Sequence, residues 1–127
     1  MLVISDVTEV HKKVQAWRHA ENKIALVPTM GNLHAAHLTL IEKAQAITER
    51  TIIYIYVNPL QFVEGEDFET YPRTLAEDLA ALQSMNVDLV FTPDSDTMLP
   101  NGLENQTIVT VPELDSIYCG EFRPGHF

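Results

Sequence analysis

The sequence predicts an α/β fold with a doubly wound parallel sheet, and three observations carry that expectation. Apolar, β-branched stretches alternate along the chain with stretches of helical period. Two loops, residues 28–37 and 57–72, each follow directly on an expected strand. No internal repeat, low-complexity tract or linker divides the 127 residues. Strands that alternate with helices run parallel under helices on both faces, and ligands then bind beyond the carboxyl ends of the strands. The two loops are therefore expected on one edge of the sheet.

The elements follow in order. A short apolar opening, "MLVIS", precedes Asp6, and Glu9 three residues on gives a capping-box spacing. Val7, Val10, Val14 and Trp17 recur at helical intervals behind it. "KIALVPT" reads as a buried strand. "HLTLIEKAQAIT" reads as a helix with a wide apolar face of Leu38, Leu40, Ile41, Ala44 and Ile47. "TIIYIYV" is the clearest strand, β-branched and aromatic throughout. The loop after it, "NPLQFVEGEDFETYP", is long for a compact domain and so a candidate functional loop. Thr74 with Glu77 gives a second capping-box spacing, and Leu75, Leu79 and Leu82 line the helix behind it. Asn86 closes that helix before the strand "VDLVFTP". A polar loop, "QTIVTVP" and "ELDSIYCGEFRPGHF" complete the chain.

A hydrophobic share of 46% with mean hydropathy near zero fits one soluble domain that buries a core. No apolar run approaches the roughly 20 residues of a membrane span, and the opening residues lack a basic region followed by an apolar one. One cysteine, Cys119, excludes an internal disulfide and fits a reducing, cytoplasmic setting. The net charge of −10 is unevenly spread. Residues 1–50 carry six Lys/Arg and five Asp/Glu, whereas residues 51–127 carry Arg73 and Arg123 against thirteen acids. Nucleic-acid binding rests on neutralising phosphates, so a chain this acidic is not expected to bind it.

The functional signal lies in "IALVPTMGNLHAAHLTLIEKA", Ile24 to Ala44. A helix beginning near His34 aims its free N–H groups and positive dipole end at whatever stands before the strand, a ready anion site. His34 and His37, at i and i+3, share one face of its first turn. Imidazoles there can donate hydrogen bonds to phosphate oxygens and stabilise charge developing on them. Gly31 lets the backbone turn closely beneath a nucleotide. A zinc pair favours i,i+4 spacing with a third ligand, and none is apparent. On spacing alone, two surface histidines capping a turn account for the pattern about as well as a phosphate role.

"VPTMGNLHAAH" resembles the HxGH signature of the adenylyl-transferring α/β superfamily that includes the class I aminoacyl-tRNA synthetases. With "VNPLQF", "EGEDFETYPRTLAED", "VDLVFTP", "LPNG" and "RPGHF" in the same order, nearly the whole chain resembles the pantothenate synthetase family. The resemblance implies a Rossmann-like fold and a cytoplasmic, homodimeric ligase using ATP and Mg²⁺. Such a ligase joins (R)-pantoate to beta-alanine through a pantoyl adenylate. By position, Met30, Gly31, Asn32, Leu33, His34, Ala35, Ala36 and His37 would bind ATP. His34 would contact phosphate, and His37 would be the donor supporting the transition state. Gln61 would hold pantoate through its amide, with Met30 and Asn58 shaping that pocket. Glu77 and Asp78 could approach Mg²⁺, but a capping-box partner is the role expected of Glu77, so no metal ligand is assigned. Arg73, Tyr71 and His126 stand near the expected site without an assigned role.

Two departures stand out. The family pattern has glycine where this chain has Ala36, and a Cβ there is expected to weaken ATP binding. The chain also stops at Phe127, where the family continues into further cationic segments and a second, smaller domain. Residues 1–127 are therefore expected to be a truncated N-terminal ATP- and pantoate-binding domain, inactive alone. A second reading is another nucleotidyl transferase with the same histidine pair, which would have no need of Gln61. A third is a non-catalytic binding module on a degenerate nucleotide fold, which the intact His34, His37 and Gln61 oppose.

Overall fold

The computed structural model describes residues 1–62, 68–103, 105, 107, 109 and 111–123. Among the described residues ten short elements follow one another: β1 (Leu2–Ile4), α1 (Val7–His19), β2 (Ile24–Thr29), α2 (Ala35–Gln45), β3 (Arg50–Ile55), a 3₁₀ turn (Pro59–Gln61), α3 (Leu75–Ser84), β4 (Leu89–Phe91), α4 (Ser95–Met98) and α5 (Cys119–Phe122). The four strands form one parallel sheet in the order β1-β4-β3-β2. From β2 to β3 to β4 the chain steps one way across the sheet, and from β1 to β2 it steps back. Right-handed crossovers then put α2 and α3 on one face and α1 on the other.

The core divides accordingly. Ile52 and Ile53, neighbours in β3, point to opposite faces because side chains alternate along a strand. Ile53 joins Val27, Val90, Ile41, Leu82 and Val87 under α2 and α3, and Ile52 joins Val10 and Leu89 under α1. The doubly wound α/β expectation holds, and Pro28 is tolerated because β2 lies at an edge of this sheet.

Local signals decide where helices start and stop. Asp6 caps α1, its Oδ1 accepting the Glu9 N–H at 2.8 Å. Asn86, at φ +56°, ends α3 as expected, with Val87 N–H bonded to Leu82 O and Asn86 N–H to Gln83 O in a Schellman motif. Four expectations need correction. Thr74 makes no capping hydrogen bond, because its hydroxyl donates to Asp78 instead. The apolar face of α2 is narrower than its sequence implies: Ile41 is fully buried with Leu38 and Ala44 against the same core, whereas Leu40 faces solvent and the helix ends at Gln45, before the exposed Ile47. Leu75 is likewise exposed, and β4 is confined to three residues, Leu89–Phe91, each paired on both sides with β1 and β3.

Candidate active site

The turn from β2 into α2 is built residue by residue. The Thr29 hydroxyl donates to Tyr54 O and accepts the Gly31 N–H, tying the turn to β3. Gly31 and Asn32 follow at φ +81° and +51°. Only glycine fits the first of these positions well. A Cβ there would stand 3.1 Å from Asp78 Oδ2 and 3.3 Å from Ile55 Cγ2, on a backbone that L side chains resist.

His34 and His37 then form a capping box made of imidazoles. His34 Nδ1 accepts the Ala36 N–H at 3.3 Å, and His37 Nδ1 accepts the His34 N–H at 3.3 Å. Their ring centroids are 4.1 Å apart. A ring nitrogen that accepts a hydrogen bond carries no proton, so each neutral imidazole keeps its proton on Nε2, turned away from the backbone it caps. The capping account holds, and the same bonds place the Nε2–H of each ring on the side away from the backbone it caps. Burial, and secondarily the neighbouring His34, lowers the pKa of His37 against a smaller opposing pull from Asp78.

Two cavities open beside this turn at the carboxyl ends of the strands. One, of about 350 Å³, is lined by Pro28, Thr29, Met30, Tyr54, Tyr56 and Gln61. Burial, then Tyr56, pushes the Tyr54 phenol up to about 12, so it stays a neutral hydrogen-bonding group. The other, of about 390 Å³, gathers Met30 and Gly31 after β2, Val57 after β3 and Asp94 after β4, with Arg73 and Asp78 from the loop and α3. Met30 and Tyr56 line both.

The structure brings Met30 and Gln61 together as the sequence suggested, across two separate loops. Asn58 does not line that cavity. Its Oδ1 accepts the Leu60 N–H at 3.1 Å and starts the 3₁₀ turn that carries Gln61, which is turn chemistry. His34 and His37 stand at the start of α2 and line neither cavity. Arg73 is spent on its own loop, donating to Glu69 O and Phe68 O while lying over the Phe68 ring at 5.5 Å. Tyr71 packs edge-on against Phe62. Arg123 donates to Gln61 O across 62 positions of sequence. His126 and the "EGED" segment lie outside the described residues. Among the described residues no group of three or more His, Cys, Asp or Glu could hold a metal ion.

Sequence reasoning considered Asp78 only as a neighbour of Mg²⁺ and missed what the structure shows, a buried acid that joins α3 to the turn. Its two oxygens accept the N–H groups of Asn32 and Leu33 at 3.0 and 2.8 Å. The one available signal was an acid in the first turn of a helix after an expected site loop, and that pattern has many commoner explanations.

A family model described as pantoate-beta-alanine ligase matches residues 2–127. The chain belongs to the pantoate–beta-alanine ligase family. It is 50% identical to the pantothenate synthetase of Chromohalobacter salexigens and 46% identical to that of Shewanella denitrificans, in each case over all 127 residues. The chain spans 45% of the length of each of these relatives. Among solved structures, that of the ligase from Francisella tularensis is described as a complex with beta-gamma ATP and beta-alanine. It matches with a TM-score of 0.89 at 36% identity, covering 99% of this chain and 48% of that one. Pantothenate synthetase from Thermus thermophilus matches with a TM-score of 0.83 at 40% identity, covering 100% and 44%. Membership of this ligase family displaces the reading of the chain as some other nucleotidyl transferase.

Proposed function

We propose that this chain is the N-terminal, ATP- and pantoate-binding domain of a pantoate–beta-alanine ligase. In the first step a carboxylate oxygen of (R)-pantoate attacks the α-phosphorus of ATP, and the bond to pyrophosphate breaks. In the second, the beta-alanine amine attacks the acyl carbon, the bond to AMP breaks, and the amine loses a proton as the amide forms. The observation that carries this reading is the family match over residues 2–127.

The local chemistry supports it. Residues Met30 to His37 would cradle ATP at the start of α2, where free N–H groups and the helix dipole favour an anion. The Nε2–H groups of His34 and His37 would donate to phosphate oxygens, His37 most directly to charge that develops as pyrophosphate leaves. A preorganised donor of this kind is worth about 3–4 kcal/mol of barrier. Its neutrality suits it to hydrogen-bond donation without proton exchange. Gln61 and Met30 would hold pantoate in the smaller cavity, with its carboxylate toward the turn. Mg²⁺ would travel on the nucleotide, since it binds through phosphates, waters and one or two carboxylates. The exposed Glu77, one residue before Asp78 in the first turn of α3, fits that modest demand. The whole enzyme would be a cytoplasmic homodimer, as the sequence resemblance implies, and sedimentation of the full gene product tests the dimer.

The deciding experiment is pyrophosphate release by the full gene product with ATP and Mg²⁺, with and without (R)-pantoate. Release that depends on pantoate is expected. Release without it, or with a different acceptor only, overturns the assignment.

A further inference from the structure

We propose that Asp78 is a positioning residue for adenylyl transfer: its buried carboxylate locks the β2–α2 turn and so sets where His34 and His37 stand. The proposal rests on the ligase reading above. Asp78 is only 3% exposed, and three donors converge on it. Oδ1 accepts the Leu33 N–H at 2.8 Å, and Oδ2 accepts the Asn32 N–H at 3.0 Å and the Thr74 hydroxyl at 3.2 Å. A carboxylate has about four acceptor positions, so these bonds occupy most of them.

The turn needs such an anchor. Gly31 adopts positive φ freely, but Asn32 at φ +51° stands in a region that a residue with a Cβ holds when surrounding structure imposes it. Hydrogen bonds to an ionised acceptor are roughly twice as strong as neutral ones, and here they reach across 45 and 46 positions of sequence. The helix that carries Asp78 is seated on the core, where Leu82, one turn further along α3, is fully buried without touching the turn's hydrogen bonds. His34 is the next residue after Leu33, so the anchored peptide leads straight into the imidazole cap. Chemistry also explains the residue type. Both oxygens face N–H groups, so an amide at this position would turn a donor against a donor.

The test compares Asp78→Asn with Leu82→Ala in the full gene product. The second variant loosens the same helix without touching the turn. Two quantities are read: hydrogen exchange at the Asn32 and Leu33 amides, and the kinetics of pantoate-dependent pyrophosphate release. For Asp78→Asn, exchange at both amides is expected to rise at least about tenfold. Its kcat should fall about 100-fold, the usual result of an ångström-scale misplacement, while KM for pantoate changes by less than about threefold. Leu82→Ala is expected to lower the melting temperature and to keep kcat within about threefold at a temperature where it is folded. Asp78→Asn with near-normal kcat or with both amides still protected overturns the proposal, and so does an equal loss of kcat in Leu82→Ala. If Asp78→Asn does not fold, Thr74→Ala, which removes one donor to Oδ2, should still lower kcat by about three- to tenfold, and an unchanged kcat overturns the proposal. If the unsubstituted protein shows no pantoate-dependent release, the ligase reading fails. Amide exchange, which needs no substrate, then decides the anchor by itself.

Discussion

At the scale of single residues, the histidine pair separates into two jobs that mutation can pull apart. His34 caps α2 through Nδ1 and would donate to phosphate through Nε2. Asparagine is among the best N-cap residues, so His34→Asn should keep the cap to within about 0.5 kcal/mol and lose the donor. Its pantoate-dependent pyrophosphate release is expected to fall about 100-fold. An activity loss matched by a fall in denaturation midpoint would show that the cap alone mattered. Ala36 is exposed beside this cap, with its N–H on His34. Ala36→Gly is expected to lower the KM for ATP by removing a Cβ from the nucleotide side, at a helix cost below about 1 kcal/mol. An unchanged or higher KM refutes it. His37 sets an acid limit. Its pKa lies below the ordinary 6.5, chiefly through burial, so between the two values the unfolded chain binds more protons than the folded one. Stability therefore rises with pH across that window and falls as the pH drops through it. Protonation also removes the Nδ1 lone pair that accepts the His34 N–H. Denaturation midpoints and pyrophosphate release measured from neutral pH downward should decline together, and His37→Asn should flatten the stability limb.

At the scale of elements, the two ends of the strands carry different burdens. The carboxyl ends hold the turn, the cavities and Asp78. The amino ends are tied by Arg50, whose Nη1 meets Asp88 Oδ1 at 2.7 Å while its Nε donates to Asn22 Oδ1 in the turn between α1 and β2. Its guanidinium lies 5.6 Å from the centroid of the Trp17 ring, and Asp88 also accepts the Thr51 N–H. Arg50 is about two-fifths exposed, so solvent screening limits its worth. Arg50→Ala should destabilise by about 1 kcal/mol, with ring stacking and the lost bond to Asn22 adding to the weak ion pair. Its KM and kcat are expected to be unchanged at 25 °C, because the site stands at the other end of the sheet. A change in kcat without a change in stability would contradict that division.

At the scale of the whole molecule, charge decides what the chain can do unaided. Residues 51–127 carry thirteen acids and two arginines. Arg73 donates to Phe68 O, Glu69 O and Tyr71 O, and Arg123 to Gln61 O, so both shape loops. The lysines of the first half lie on α1, before β2 and near the end of α2, and none lines either cavity beside the turn. ATP carries several phosphate charges that need cations or many donors. The 127-residue chain by itself is thus expected to bind ATP weakly and to show no multiple turnover. Calorimetric titration with ATP and a multiple-turnover assay of the isolated chain check this, and sustained pyrophosphate release would refute it.

Alternation of strand and helix, the start of α2 at His34 and the stop of α3 at Asn86 were legible in the sequence, because hydrophobic period and capping chemistry act within a few residues of their cause. The pairing of Met30 with Gln61 across the sheet edge was legible through family likeness and the shared position of two loops after strands. Long-range partners were decided by tertiary structure. Leu40 and Ile47 belong to the same apolar stretch as Leu38, Ile41 and Ala44, and nothing local says that only the last three pack toward the core. Thr74 and Glu77 have the spacing of a cap, yet the Thr74 hydroxyl has a stronger acceptor in Asp78, a group already turned inward. Asn58 lies beside Gln61 in sequence, but a capping bond holds its side-chain oxygen outside the cavity. Most of all, the bond from Asp78 to a turn 45 residues earlier leaves no pattern in the sequence. A contact between two chain segments is fixed by the packing of α3 on the sheet, and only the folded arrangement brings the acid and the turn within hydrogen-bond reach.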